Sequence, residues 1–380
     1  MKIVADQAIP YINLLFPSIG DVALYDGREI ASDHLHDADV LVVRTVTRVN
    51  RELLEGSAVK FVATATSGHD HIDTEYLSEH QIGFAHAPGC NARSVAEYVL
   101  SSLFVLADQR DFDLTEKSVG IIGCGNAGST VLSLLETLGV ACRVYDPPLQ
   151  EAGARFPFHT IDEVLNSDII TLHVPLTLAG PWPTRNMVDK EFLSRIRSDV
   201  ILINTSRGGI VDEHDLEFFT EYAPSCSIVL DVWQDEPSIN TALLRKTAIS
   251  TPHIAGYSAD AKVRGTWAVY KQVCRYFHRP YNDFPLPVLP ESRINRIAIS
   301  EYTGEIDAVQ MAVLAGYDVR TDSASLRHML ILGKDERGAF FSGLRNNYPV
   351  RREFAAMTVS VPEHARSLQN KLAKLGFRVA

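Results

Sequence analysis

SVGIIGCGNAGSTVLSLLETLG, residues 118–139, decides the fold of this 380-residue chain. Its first run, SVGIIG, reads as a buried strand, and NAGSTVLSLLETLG reads as a helix closed by Gly139. Between them GCGNAG, Gly123 to Gly128, has the GxGxxG spacing that brings backbone amides at a helix N-terminus against a pyrophosphate. The next strand, VACRVYD, ends in Asp146, eighteen residues beyond Gly128, where a carboxylate accepts both adenosine-ribose hydroxyls. Strand, turn, helix and acid together predict dinucleotide binding, with Gly123, Gly125, Asn126, Ala127 and Gly128 on the phosphate side. NAD is preferred to NADP, because a carboxylate repels a 2′-phosphate and no arginine directly follows it. Taken alone, Asp146 ahead of Pro147 and Pro148 also reads as a turn former at a strand end.

The same alternation extends in both directions. Upstream, KIVAD, DVLVVR, KFVATAT and IGFAHAP read as strands; downstream, DIITLHV, VILINTS, SIVLDV and AISTPH do. Strands separated by helical patterns predict an α/β chain with parallel, doubly wound sheets. Residues 94–107, SVAEYVLSSLFVLA, are apolar nearly all round and predict a buried helix between two domains. The Pro-rich stretch PYNDFPLPVLP, 280–290, reads as a linker to about ninety residues of separate α/β pattern.

Composition narrows the partners. Lys and Arg number 36 against 47 Asp and Glu, a net charge of −11 without a basic stripe, which argues against nucleic acid and anionic membrane as partners. The five cysteines are scattered and form neither a CxxC pair nor a zinc spacing, which fits a reducing cytoplasm. No signal-like start is present, and no stretch approaches the ~20 apolar residues of a membrane span.

Three further segments each end a predicted strand: NTSRGG at 204–209, LDVWQDEP at 230–237 and TPHIAGYS at 251–258. In a doubly wound sheet the carboxyl ends of the strands face the ligand crevice, so Arg207, Glu236 and His253 are expected to converge there. A guanidinium binds a carboxylate and its neighbouring oxygen through two hydrogen bonds. An imidazole removes a hydroxyl proton, and a carboxylate paired to it orients the ring. This is the equipment for oxidising a 2-hydroxy acid. Singly, a His after Pro reads as a capping or surface residue, and a Glu before Pro237 as a turn acid. His69, Asp70 and His71 in SGHDHID read as a helix-start turn, and no metal is expected.

The early segment VRTVTRVN suggests an anion site. DVLVVR is followed by RVNRELLEG, expected as a helix from residue 48, whose N-terminus would sit beside Arg44, Thr45, Thr47 and Arg48. A solvated strand-to-helix turn is the plainer alternative. Thr66, Ser67 and Gly68 form a similar loop after KFVATAT.

INTSRGGIVDE, DVWQDEP and TPHIAG, with HVPLT and NARSVAEYVL, resemble the D-isomer-specific 2-hydroxyacid dehydrogenases over roughly residues 35–275. The resemblance implies catalytic roles for Arg207, Glu236 and His253, and a cofactor surface that adds Val174, Thr205, Ser206, Arg207, Asp231 and Gly256 to the glycine loop. Val174 offers only its backbone. It implies substrate contacts at Thr45, Thr66 and Tyr257, and Arg44 and Arg48 join them as phosphate candidates. The implied architecture is a flavodoxin-like substrate domain (1–93 and 257–282), a Rossmann NAD domain (94–256) and a C-terminal α/β dimerisation domain (283–380). YDVRTDSASLRHML and NNYPVRREF in the tail, with VRTVTRVN, are similar to the branch that oxidises a phosphorylated 2-hydroxy acid in pyridoxal phosphate biosynthesis, as a homodimer. Arg351 and Arg352 are expected in a surface or interface salt bridge, with reach into a partner's cleft as the alternative. Phosphoglycerate- or glyoxylate-type dehydrogenation, or non-catalytic NADH sensing, are the alternatives.

Overall fold

Each strand expected from the sequence forms, trimmed at its ends, in a computed structural model that describes residues 1–281 and 289–380. The linker expected at 280–290, and the boundary expected at 282–283, fall largely outside the described residues. The chain divides into two units, Met1–Asn91 with Ser258–Pro290, and Ala92–Tyr257 with Glu291–Ala380.

The first unit holds β1 (Lys2–Asp6), β2 (Asp21–Tyr25), β3 (Val40–Val43), β4 (Phe61–Thr64) and β5 (Gly83–Ala85). They form one parallel sheet in the order β2-β1-β3-β4-β5. β3 and β4 are buried at every position, as strands covered on both faces must be. One face packs Ile3, Ala5 and Phe61 against Val269, Tyr270 and Val273 of the helix Ala259–Tyr276. The other buries Val4, Leu41, Val62, Leu54 and Leu77. The helix expected from residue 48 is a correction: only Arg51–Leu54 is helical. Val49 instead makes a parallel bridge to Ile72, which keeps the chain extended until Asn50 caps the single turn.

The second unit is built on β6 (Ser118–Ile122), β7 (Ala141–Tyr145), β8 (Ile169–Leu172), β9 (Ile201–Asn204), β10 (Ser227–Leu230) and β11 (Ile249–Ser250). All pairs are parallel, in the order β7-β6-β8-β9-β10-β11. Connection direction reverses between β6 and β8, the switch point at which doubly wound sheets open a ligand crevice. A third, smaller parallel sheet comes from β12 (Arg296–Ala298), β13 (Thr358–Ser360) and β14 (Arg378–Val379). The helix Ala92–Arg110 is buried from Val95 to Ala107, but inside one unit rather than between two. It packs on the helix Asn126–Leu138 and on the helices Glu305–Gly316 and Val319–Arg327. One apolar core therefore runs from β6 and β9 through Tyr98 and Phe104 to Val313 and Phe354.

Candidate active site

β9, β10 and β11 are adjacent and parallel, so the segments that follow them leave the sheet on the same side. After β9, Asn204 closes a tight turn: its side chain accepts from the Ser206 amide (3.0 Å) and donates to the Arg207 carbonyl (3.1 Å). Gly208 is needed for close approach, because a Cβ there would lie 1.8 Å from the Trp233 carbonyl oxygen. The turn sets Arg207 half-buried beyond the strand end, with Nη1 donating to the Ser206 carbonyl at 2.8 Å.

Glu236 and His253 form a direct pair. His253 Nδ1 lies 2.8 Å from Glu236 Oε2 and 3.1 Å from Oε1. An ionised carboxylate only accepts, so Nδ1 carries the proton and Nε2 is left to act as acceptor or base. The Trp233 amide donates to Glu236 Oε1 at 3.0 Å and fixes the carboxylate from behind. Burial raises this carboxyl, but the charge and hydrogen bond of His253 outweigh it and hold the group below its ordinary range.

His253 adopts a left-handed backbone, φ 57°, a region a non-glycine residue occupies at a cost of about 1–3 kcal/mol. Asp231 at the end of β10 holds it there. Its carboxylate, fully buried, accepts from Thr251 Oγ1 (2.6 Å), the Ile254 amide (2.7 Å) and the Ala255 amide (2.9 Å). The His253 amide donates to the Asp231 carbonyl at 2.7 Å, and Trp233 Nε1 to the Thr251 carbonyl at 3.0 Å. The imidazole is aimed by a loop whose backbone is pinned on both sides.

At the switch point a cavity of about 750 Å³ is lined by Gly123, Gly125, Asp146, Val174, Thr177 and Trp182, among others. Its size suits a nucleotide. Gly128 lets the helix Asn126–Leu138 start against the sheet: a Cβ would sit 2.0 Å from the Gly123 carbonyl oxygen. Asn126 is exposed at that start and Ala127 packs partly into the core. Asp146 caps the short helix Pro147–Glu151 through the Leu149 amide (3.0 Å) and accepts from the Cys124 amide (2.7 Å). Those bonds use one position on each oxygen, so a second on each remains for a ribose diol. These residues fit NAD. Beside them His173 is half-buried between Thr171 and Thr205, and desolvation pushes its imidazole down to about 4, leaving it neutral. Ser206 spends its hydroxyl on the Leu172 carbonyl and Asn204, and so supports the turn.

Residues 98–255 match the family model described as D-isomer specific 2-hydroxyacid dehydrogenase, NAD binding domain. Residues 288–376 match a domain of unknown function. An erythronate-4-phosphate dehydrogenase of Marinobacter nauticus is 42% identical over all of both chains, and that of Hahella chejuensis is 42% identical over all of both as well. The chain belongs to the erythronate-4-phosphate dehydrogenases, within the D-isomer specific 2-hydroxyacid dehydrogenases. Among solved structures, an NAD-dependent formate dehydrogenase from Staphylococcus aureus in complex with NAD is 29% identical, TM-score 0.60, over 74% of this chain and 98% of the other. A D-lactate dehydrogenase from Aquifex aeolicus complexed with NAD and lactic acid is 25% identical, TM-score 0.60, over 73% and 96%. The cofactor of this erythronate-4-phosphate dehydrogenase family member is NAD, held by residues 98–255.

The remaining candidates of this family member have surroundings of their own. Thr45 and Arg48, after β3, are exposed. Arg44 has a structural partner, the buried Asp6, to which its Nε donates at 2.8 Å and its Nη2 at 3.2 Å, so its charge is matched there. Thr47 is buried and donates to the Gly27 carbonyl at 2.6 Å. Thr66 donates to the Gly68 carbonyl at 2.8 Å. Gly256 and Tyr257 follow in the loop of His253. Arg351 is buried, with Nη1 on the Ala255 carbonyl (3.0 Å) and Nη2 on the Ser94 carbonyl (2.7 Å), rather than in a surface bridge.

Sequence reading missed three supports. Asn204 carried a signal, since Asn at a strand end favours such turns. Glu213, which accepts the Gln234 amide at 2.6 Å, carried none, and neither did the clamp formed by Asp231, because both depend on which amides the fold brings together.

Proposed function

We propose that this chain oxidises 4-phospho-D-erythronate at C2 with NAD, giving 2-oxo-3-hydroxy-4-phosphobutanoate for pyridoxal phosphate biosynthesis. The likeness to erythronate-4-phosphate dehydrogenases along the entire chain supports the substrate. The observation that carries the chemistry is the Glu236–His253 pair at 2.8 Å on adjacent strand ends.

Arg207 binds the substrate carboxylate and fixes the C2 hydrogen toward the cofactor. His253 Nε2 takes the C2 hydroxyl proton as the C–H bonding pair leaves, and Glu236 stabilises the imidazolium that forms. Bound NAD supplies the hydride acceptor. Thr45, Thr66 and Tyr257 contact the substrate, with Arg44 and Arg48 toward its phosphate. Val174, Thr205, Ser206, Asp231 and Gly256 join the glycine loop and Asp146 along the cofactor.

The enzyme acts in the cytoplasm as a homodimer through its C-terminal region, where Tyr302, Ile331, Met311 and Val350 expose apolar surface. Sedimentation velocity tests the dimer. A panel of 4-phosphoerythronate, erythronate, 3-phosphoglycerate and D-lactate, each with NAD and direct quantification of the 2-oxo product, tests the substrate. The phosphorylated four-carbon acid is expected to lead in kcat/KM, and a tenfold lead by any other acid would overturn the assignment. His253→Ala is expected to lose about 10²- to 10⁴-fold in turnover with NAD binding retained.

A further inference from the structure

Resting on that reading of the Glu236–His253 site, we propose that Arg345, from the C-terminal region, is a positioning residue of the same site, holding the Tyr257 hydroxyl and setting a positive charge beside Glu236. Arg345 lies in the last turn of the helix Lys334–Asn346. Its Nη2 donates to Tyr257 Oη at 3.0 Å, and its Nη1 lies 3.9 Å from Glu236 Oε2. The guanidinium carbon stands 5.7 Å from the centroid of the Tyr257 ring, close enough for a favourable cation–ring contact. Nε is buried and makes no hydrogen bond among the described residues, so the planar group is placed by its two terminal nitrogens rather than by a full set of partners.

The loop that carries His253 is thus gripped twice by residues beyond 290. Arg351 holds it at the Ala255 carbonyl, and Arg345 holds it at the Tyr257 hydroxyl. Tyr348 supports the second grip: its ring meets Tyr257 edge-on at 5.8 Å, and its hydroxyl donates to the half-buried Asp322 at 2.7 Å. A flexible tyrosine would sample several rotamers, whereas this one is fixed from both the hydroxyl and the ring.

The electrostatic part follows from the charges around Glu236. His253 and Arg345 are cations whose charges lower its carboxyl, and Arg207 follows the adjacent β9, while Asp235 directly precedes it and Glu213 and Asp231 are acids nearby in the same cluster of strand ends. Arg345 is a permanent cation, opposing protonation of the pair whatever the state of His253. Removing it must favour the protonated pair, so the pair's titration midpoint rises.

The test compares the full-length wild type with Arg345→Met and Arg345→Lys. The His253 ring signal, assigned by difference against His253→Asn, is followed by NMR from pH 4.5 to 9 in the presence of NAD. Arg345→Met is expected to raise the midpoint by about 0.5 unit or more, and Arg345→Lys to restore most of it. In parallel, kcat/KM for 4-phosphoerythronate is expected to fall about tenfold or more in Arg345→Met, mainly through KM for the acid, with KM for NAD unchanged. An unchanged midpoint in Arg345→Met of wild-type melting temperature overturns the proposal. The midpoint is read without turnover, so wild type inactive on 4-phosphoerythronate sinks the substrate assignment alone.

Discussion

The buried carboxylates around His253 do different work, and their environments show it. Asp231 accepts two backbone amides and a hydroxyl, so Asp231→Asn, which turns a donor toward the Ala255 amide, is expected to cost about 1–3 kcal/mol in urea unfolding and to lower kcat with it. A variant of unchanged stability would mean that the loop keeps its left-handed turn without the clamp. Glu213 gives a pH signature. Burial raises its carboxyl from 4.5 to about 7, against the pull of the Gln234 amide. The folded protein therefore keeps this proton to higher pH than the unfolded chain. Its contribution to stability is present below pH 4.5 and is lost as pH rises through about 7. Glu213→Gln is accordingly expected to gain on the wild type between pH 4.5 and 8, by an amount on the order of 2 kcal/mol, in melts run at each pH. A constant difference across that range would assign Glu213 an ordinary ionisation. The placement of Arg207, Glu236 and His253 at adjacent strand ends was legible because each closes a strand-end motif; Glu213 was not, because its partner amide lies in a different loop.

At the scale of elements, the glycine loop makes the sharpest expectation. Gly128→Ala places a methyl 2.0 Å from the Gly123 carbonyl oxygen, which must push the helix Asn126–Leu138 away from the sheet and widen the glycine turn. NADH affinity, read by fluorescence titration, is expected to fall on the order of tenfold or more. Equal affinity would show that the turn has slack. Strands were readable wherever both faces are covered, since β3, β4, β8 and β9 carry unbroken buried runs. β2 escaped notice because an edge strand that is only partly buried needs no such run. The segment 48–56 misled for the opposite reason: its residues suit a helix, but the bridge from Val49 to Ile72 is a long-range pairing that local preference does not contain.

Across the whole molecule, the continuous core shared by the NAD-binding sheet and the tail is the governing fact. The helix Ala92–Arg110 read as buried, and it is, yet the sequence could not say by what. Cutting the chain after Pro290 would bare the face that meets Ala308, Val309, Ala312 and Val313, along with Tyr98 and Leu103. Such a truncation is expected to aggregate or to lose cooperative unfolding in calorimetry, because an exposed apolar patch of that kind is a liability in a soluble chain. A soluble fragment melting at the wild-type temperature would contradict it. The shared core also bears on protein engineering. A tail grafted from a distant relative brings its own side chains to the helix Ala92–Arg110 and to the loop of His253, so exchange by recombination is tolerated only when both partners of each contact travel together. Portable domains meet across separable surfaces; here sheet and tail share one interior, so a graft has to carry both sides of it.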